Sequence, residues 1–168
     1  MLGRIIAAII ARELRALKRE IEAYPTQESL WLRPSGIANS AGTLALHLIG
    51  NLQYLIGTQL GDTGYVRHRE AEFTARNVST EDLLRGIDET IAVVEAVLPG
   101  VGEDRMKATY PIEVAGVRMR TDDFLVHLCA HLAYHLGQVD YHRRLLAAGG
   151  TVGAMSIPDL ATARKADD

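Results

Sequence analysis

The sequence predicts an all-α fold, a four-helix bundle with a short extended or hairpin crossover before the last helix. Two observations carry this. Four long segments repeat apolar residues at three-to-four spacing, each bounded by capping or breaking residues. One stretch, residues 101–120, has extended character instead. A hydrophobic share of 48% and a charged share of 23% suit a globular domain. The 168 residues divide into one domain over 1–150 and a loosely held tail over 151–168.

The first helix spans about residues 2–24. Ile6, Ile10, Leu14, Leu17 and Ile21 form its apolar face, Arg12, Arg15, Lys18 and Glu22 the polar one, and Pro25 stops it. Its opening run, Leu2 to Ile10, is too short to span a bilayer and lacks a small-residue cleavage site before Arg12-Glu13-Leu14-Arg15. It reads as a core helix, which implies a cytoplasmic protein with no membrane partner. Residues 26–37, with Trp31, Pro34 and Gly36, form a connector.

Asn39 or Ser40 caps the second helix, which runs to about Leu60 and ends at Gly61. Its leucines and isoleucines spread around the circumference, so it is heavily buried. The polar residues His47, Asn51, Tyr54 and Thr58 on one face must therefore find partners. Residues 61–78 read as a loop with helical pieces. Ser79 or Thr80 caps the third helix, with Leu83, Ile87, Ile91, Val94 and Leu98 inward and Pro99-Gly100 closing it. Two extended stretches, Thr109 to Val114 and Val117 to Arg120, flank Ala115-Gly116. Thr121 caps the fourth helix, which reaches about Ala148 before Gly149-Gly150.

Net charge is −3, so a large electrostatic footprint for nucleic acid is absent, a local basic patch aside, and no nucleic-acid partner is expected. The single cysteine, Cys129, excludes an intrachain disulfide and a Cys-rich zinc module, and fits a reducing compartment.

The fourth helix carries three of the six histidines, His127, His131 and His135, each four residues from the next and so on one face. Gln138 and His142 return to the same sector, roughly 80° wide. If the second and fourth helices are neighbours, His47 meets His131 and His135. Imidazoles at i and i+4 converge on a point off the helix, and a third from a facing helix completes a three-nitrogen cap with an open position for water or substrate. A lone histidine on such a helix is usually a satisfied core or surface residue; a third one on a separate helix brings the metal reading level with that one.

The string His131-Leu132-Ala133-Tyr134-His135-Leu136-Gly137-Gln138, together with Thr43-Leu44-Ala45-Leu46-His47 midway along the second helix, resembles the signature of the DinB-like (YfiT-like) superfamily of metal-dependent enzymes. The Gly-Gln extension carries most of the specificity, and the resemblance covers about residues 2–148. It implies an up-down-down-up bundle, commonly a homodimer, with one divalent ion held by His47, His131 and His135. Nickel or zinc is implied first, iron or manganese after them. It also implies transferases or isomerases that use low-molecular-weight thiols, or hydrolases, acting on a small-molecule substrate.

Gln138 lies one turn beyond His135 and Asn51 one turn beyond His47; each either supports a ligand or is an ordinary core amide. His127 is expected to be a partly exposed bystander or to line the site's mouth. His142 and His68 are expected on the surface. Tyr134 and Tyr141 either contact substrate or, preferably, pack in the core. Gly137 is expected to permit close helix approach. Cys129, about 160° around the helix from His131, is expected to be an inert core thiol. No carboxylate is placed as a general base, which favours metal-activated thiol transfer over hydrolysis. The competing readings are a non-catalytic metal- or ligand-binding stress-response bundle and a metal-free interaction scaffold.

Overall fold

The computed structural model describes residues 1–147, 149, 150, 152 and 156–164. The described residues are all-helical, with no strand. Helix α1 is Leu2–Glu22. A 3-10 turn, Glu28–Trp31, follows. Helix α2 is Ala41–Leu52; it continues through a π-helical turn, Gln53–Thr58, into a last α-turn, Gln59–Gly61. The short α3 is Arg69–Thr74, α4 is Thr80–Val97, the short α5 is Glu103–Lys107, and α6 is Thr121–Leu146.

Helix α1 packs against α4 and α6, and α2 packs against α4, α6 and α3, whereas α1 and α2 scarcely meet. Helices α1 and α2 therefore lie across the core from each other, and α2 faces α6. Ile10, Leu14, Leu17, Leu48, Ile56, Leu83, Ile87, Leu125 and Leu132 are fully buried between them. A buried ion pair joins α1 to α6, with Arg143 Nε donating to Glu20 Oε2 at 2.5 Å.

Side-chain caps set the starts of α2 and α4. Ser40 and Ser79 each accept a hydrogen bond from a first-turn amide, Thr43 N and Asp82 N. Three expectations are corrected. Gly61 does not take the left-handed conformation that ends the second helix; Asp62 does, at φ 52°. Gly61 is there for space, since a β-carbon would stand 2.3 Å from Val97 Cγ2. Thr121 is not a cap: Arg120 holds the N-cap position, and the Thr121 hydroxyl donates to Ala108 O at 3.1 Å. The crossover is also not purely extended, because it begins with α5. Its remainder is a minimal hairpin of two isolated bridges, Thr109 with Arg120 and Val114 with Val117, turning on Ala115 and Gly116 at φ 51° and 79°.

The π turn has a partner in this crossover. Widening a helix by one residue disturbs the carbonyl ladder. Buried Tyr110 reaches in from the crossover and donates its hydroxyl to Leu55 O at 2.6 Å. Of the tail expected to be loosely held, residues 151, 153–155 and 165–168 lie outside the described residues. Ser156 O accepts from Arg12 Nη1 at 3.3 Å. Among the described residues no helix is long and apolar enough to cross a membrane.

Candidate metal centre

Because α2 faces α6, His47 meets the histidine stripe. His47 Nε2 lies 3.3 Å from His131 Nε2, and His135 Nε2 lies 3.1 Å from the same atom. One ligand atom from each of the three falls within 4.8 Å of the others. The rings of His131 and His135 stand at 89°, and those of His47 and His135 at 87°.

The outer nitrogens fix which atoms carry protons. His135 Nδ1 is 2.7 Å from Gln138 Oε1, and His47 Nδ1 is 3.0 Å from Glu72 Oε2. An amide oxygen and a carboxylate accept, so both Nδ1 atoms donate and both Nε2 atoms carry lone pairs. Those lone pairs point at a third imidazole, whose single Nε2 proton could satisfy only one of them. One cation among the three satisfies all. The two short separations also approach the about 3.3–3.4 Å edge of a tetrahedron built on zinc–nitrogen bonds of about 2.0–2.1 Å. The donor set fits a divalent ion.

His131 and His135 are biased toward the neutral form that metal binding needs. Burial pushes His131 down to about 4, and the neighbouring His135, His47, His127 and Arg67 push the same way. Burial also lowers His135, against a raising bond from Gln138.

Histidine spacing does not reveal Glu72. It comes from α3, in the region read as a loop, and is buried behind His47. Arg67 grips it with two bonds, Nε to Oε1 at 2.6 Å and Nη2 to Oε2 at 2.8 Å. Burial raises the Glu72 carboxyl, but the bonds from Arg67 and His47 outweigh it and hold it below the usual carboxylate range. Phe73 packs its ring on His47 at 5.0 Å. The one signal in the sequence is Gly50, a glycine inside a helix between His47 and Asn51. Its missing side chain is the seat of Glu72: a β-carbon there would stand 2.3 Å from Oε1.

Gln138 touches the centre through His135. Asn51 is buried, with an Oδ1 that has no partner, and makes no bond to His47. His127 is exposed, its ring stacked on Phe124 at 6.0 Å and 6.1 Å from that of His131, and it stays outside the three-histidine group. His68 is exposed. Burial raises the Cys129 thiol to about 11.

Three expectations fail. Tyr134 and Tyr141 are not core residues; they are 65% and 72% exposed, and Tyr134 sets its ring against that of His135 at 5.3 Å. Gly137 permits no helix contact, since nothing lies within 4 Å of its β-position. His142 is buried rather than on the surface: Nε2 donates to Leu32 O at 3.0 Å, and Nδ1 accepts from the Tyr24 hydroxyl at 2.7 Å.

Residues 10–139 match the family model of the DinB superfamily. The crystal structure of a DinB-like protein from Bacillus cereus is similar in fold, with a TM-score of 0.65 at 19% identity over 86% of this chain and 91% of that one. No curated protein matches the chain.

Proposed function

Because the chain belongs to the DinB superfamily, we propose that it is a metal-dependent enzyme whose His47, His131 and His135 hold one divalent ion, nickel or zinc, for thiol transfer to a small organic substrate. The observation that supports it most is the convergence of the three Nε2 atoms while the Nδ1 protons of His47 and His135 are committed elsewhere. A divalent ion bound there supplies acidification of a thiol or a water.

The protein's own groups do the rest. Glu72 accepts the Nδ1–H hydrogen bond of His47, which fixes the tautomer and makes Nε2 a better metal ligand. Arg67 neutralises that carboxylate and keeps it from turning away. Gln138 does the same for His135 without adding charge. Asn51 supplies a buried acceptor oxygen one turn from His47, free to take a hydrogen bond from a nucleophile.

Thiol chemistry is favoured over hydrolysis because Glu72 is already engaged by Arg67 and His47. A thiol, with its pKa of about 8.5, needs far less help from a base than water does. On the same footing we propose the up-down-down-up path of the four long helices. We also propose a homodimer in the cytoplasm, with exposed Val126 and Tyr134 offering apolar surface on α6; light scattering at a dimer's mass checks the assembly.

Metal analysis of protein purified without a histidine tag should find about one divalent ion per chain. His131→Ala/His135→Ala should lose it; retention of stoichiometric metal in that variant would remove the assigned centre. Metal-dependent conjugation of small thiols to electrophiles, abolished by chelation, is the expected activity. Inactivity across thiol and ester panels with the metal bound would instead leave a binding protein.

A further inference from the structure

We propose that a cavity beside the histidine centre receives an uncharged, largely apolar arm of the substrate, so that the protein acts on small molecules bearing an aryl or medium-length alkyl group. This rests on the reading of His47, His131 and His135 as the reaction centre and names the substrate class it serves. The cavity has a volume of about 470 Å³. That lies within the about 300–1,000 Å³ typical of small-molecule sites.

Its position follows from the two helices that carry the histidines. Leu44 lines it from α2, three residues before His47, and Gln138 lines it from α6, three residues after His135. The cavity thus begins about one helical turn, ~5 Å, from the level of the ligand nitrogens. Gln138 belongs to both places, since its Oε1 also holds His135. Residues 36–39 of the connector close the remaining side.

Its chemistry follows from its walls. Ile37, Leu44, Leu145 and the Tyr141 ring are apolar, and no lysine, arginine, aspartate or glutamate is among the described residues that line it. Tyr141 and Leu145 are 72% and 65% exposed, a cost in apolar surface that an occupant would offset. His142 adds a ring but no charge and no free ligand atom, because Leu32 O and the Tyr24 hydroxyl occupy both its nitrogens. Asn39 remains for one neutral polar group. A charged arm would lose its water here without gaining a counter-ion.

The test uses the full chain loaded with cobalt(II) and straight-chain alkanethiols from ethyl to octyl, with matched ω-carboxylates, followed by the sulfur-to-cobalt absorption band. Affinity should rise about fourfold per methylene until the cavity is filled, and each carboxylate should bind at least tenfold more weakly than its neutral partner. Ile37→Asp, a surface change at the mouth, should abolish the chain-length gain and leave ethanethiol unaffected. A thiol band with affinity independent of chain length overturns the cavity assignment while the metal reading stands. If no thiol gives a band, the thiol reading has failed, and the cavity is decided separately with neutral N-phenylnaphthylamine on chelated protein. Saturable binding of one molecule per chain, weakened at least tenfold by Ile37→Asp and by Leu44→Trp, sustains the cavity. Non-saturable binding, or binding indifferent to both changes, overturns it.

Discussion

At Gly50 a β-carbon would stand 2.3 Å from Glu72 Oε1, so the glycine and the carboxylate depend on each other. Glu72→Gln removes the charge that Arg67 and His47 share, and is expected to weaken metal binding by about 10–100-fold, read by competition with a chromophoric chelator. Gly50→Ala should weaken it similarly by displacing the intact carboxylate. Unchanged affinity in both would mean that Glu72 only fills space. His131 gives the pH dependence. Its folded pKa of about 4 lies below the ordinary 6.5, so the unfolded chain takes up the proton first as the solution is acidified. The metal-free protein should lose stability as pH falls from about 6.5 to about 4, seen as a falling urea midpoint, and His131→Gln should flatten that slope. His131 and His135 are legible because helical spacing alone aligns them. Glu72 is not, because it reaches His47 from another element. His142 misleads for the same reason: its partners, Tyr24 and Leu32, are more than 100 residues away.

Among the elements, the π turn Gln53–Thr58 is the least legible in the sequence. The polar run His47, Asn51, Tyr54 and Thr58 reads as one stripe only if the helix keeps 3.6 residues per turn, and it does so only as far as Leu52. Thr58 leaves that face to donate its hydroxyl to Tyr65 O at 2.7 Å. The crossover was legible as an irregular insertion through Pro111 and Ala115-Gly116, but not what it does, which is to deliver Tyr110 to Leu55 O. Tyr110→Phe keeps the ring and strips that buried carbonyl of its donor. It should cost about 1–3 kcal/mol, measured by urea denaturation, with one metal still bound per chain. A loss below about 0.5 kcal/mol would show that the π turn needs no such partner.

For the whole molecule, four amphipathic segments with clear stops sufficed to indicate an all-helical fold, since each apolar face must be buried against another. Which helices are neighbours is not written in any one segment; it emerges from how the faces of α1, α2, α4 and α6 combine. That pairing makes the centre a cross-link, because His47 is on α2 while His131 and His135 are on α6. An ion held only by the folded arrangement must stabilise the whole fold by mass action, by about 2.7 kcal/mol when free metal is 100 times Kd. For a chain of this size that corresponds to a rise of about 5–10 °C in Tm. Nickel or zinc added to chelated protein should therefore raise the calorimetric Tm, and the rise should disappear in His47→Ala as fully as in His131→Ala/His135→Ala. If His47→Ala kept the full rise, the ion would be held by α6 alone, and α2 would be a neighbour of the centre rather than part of it.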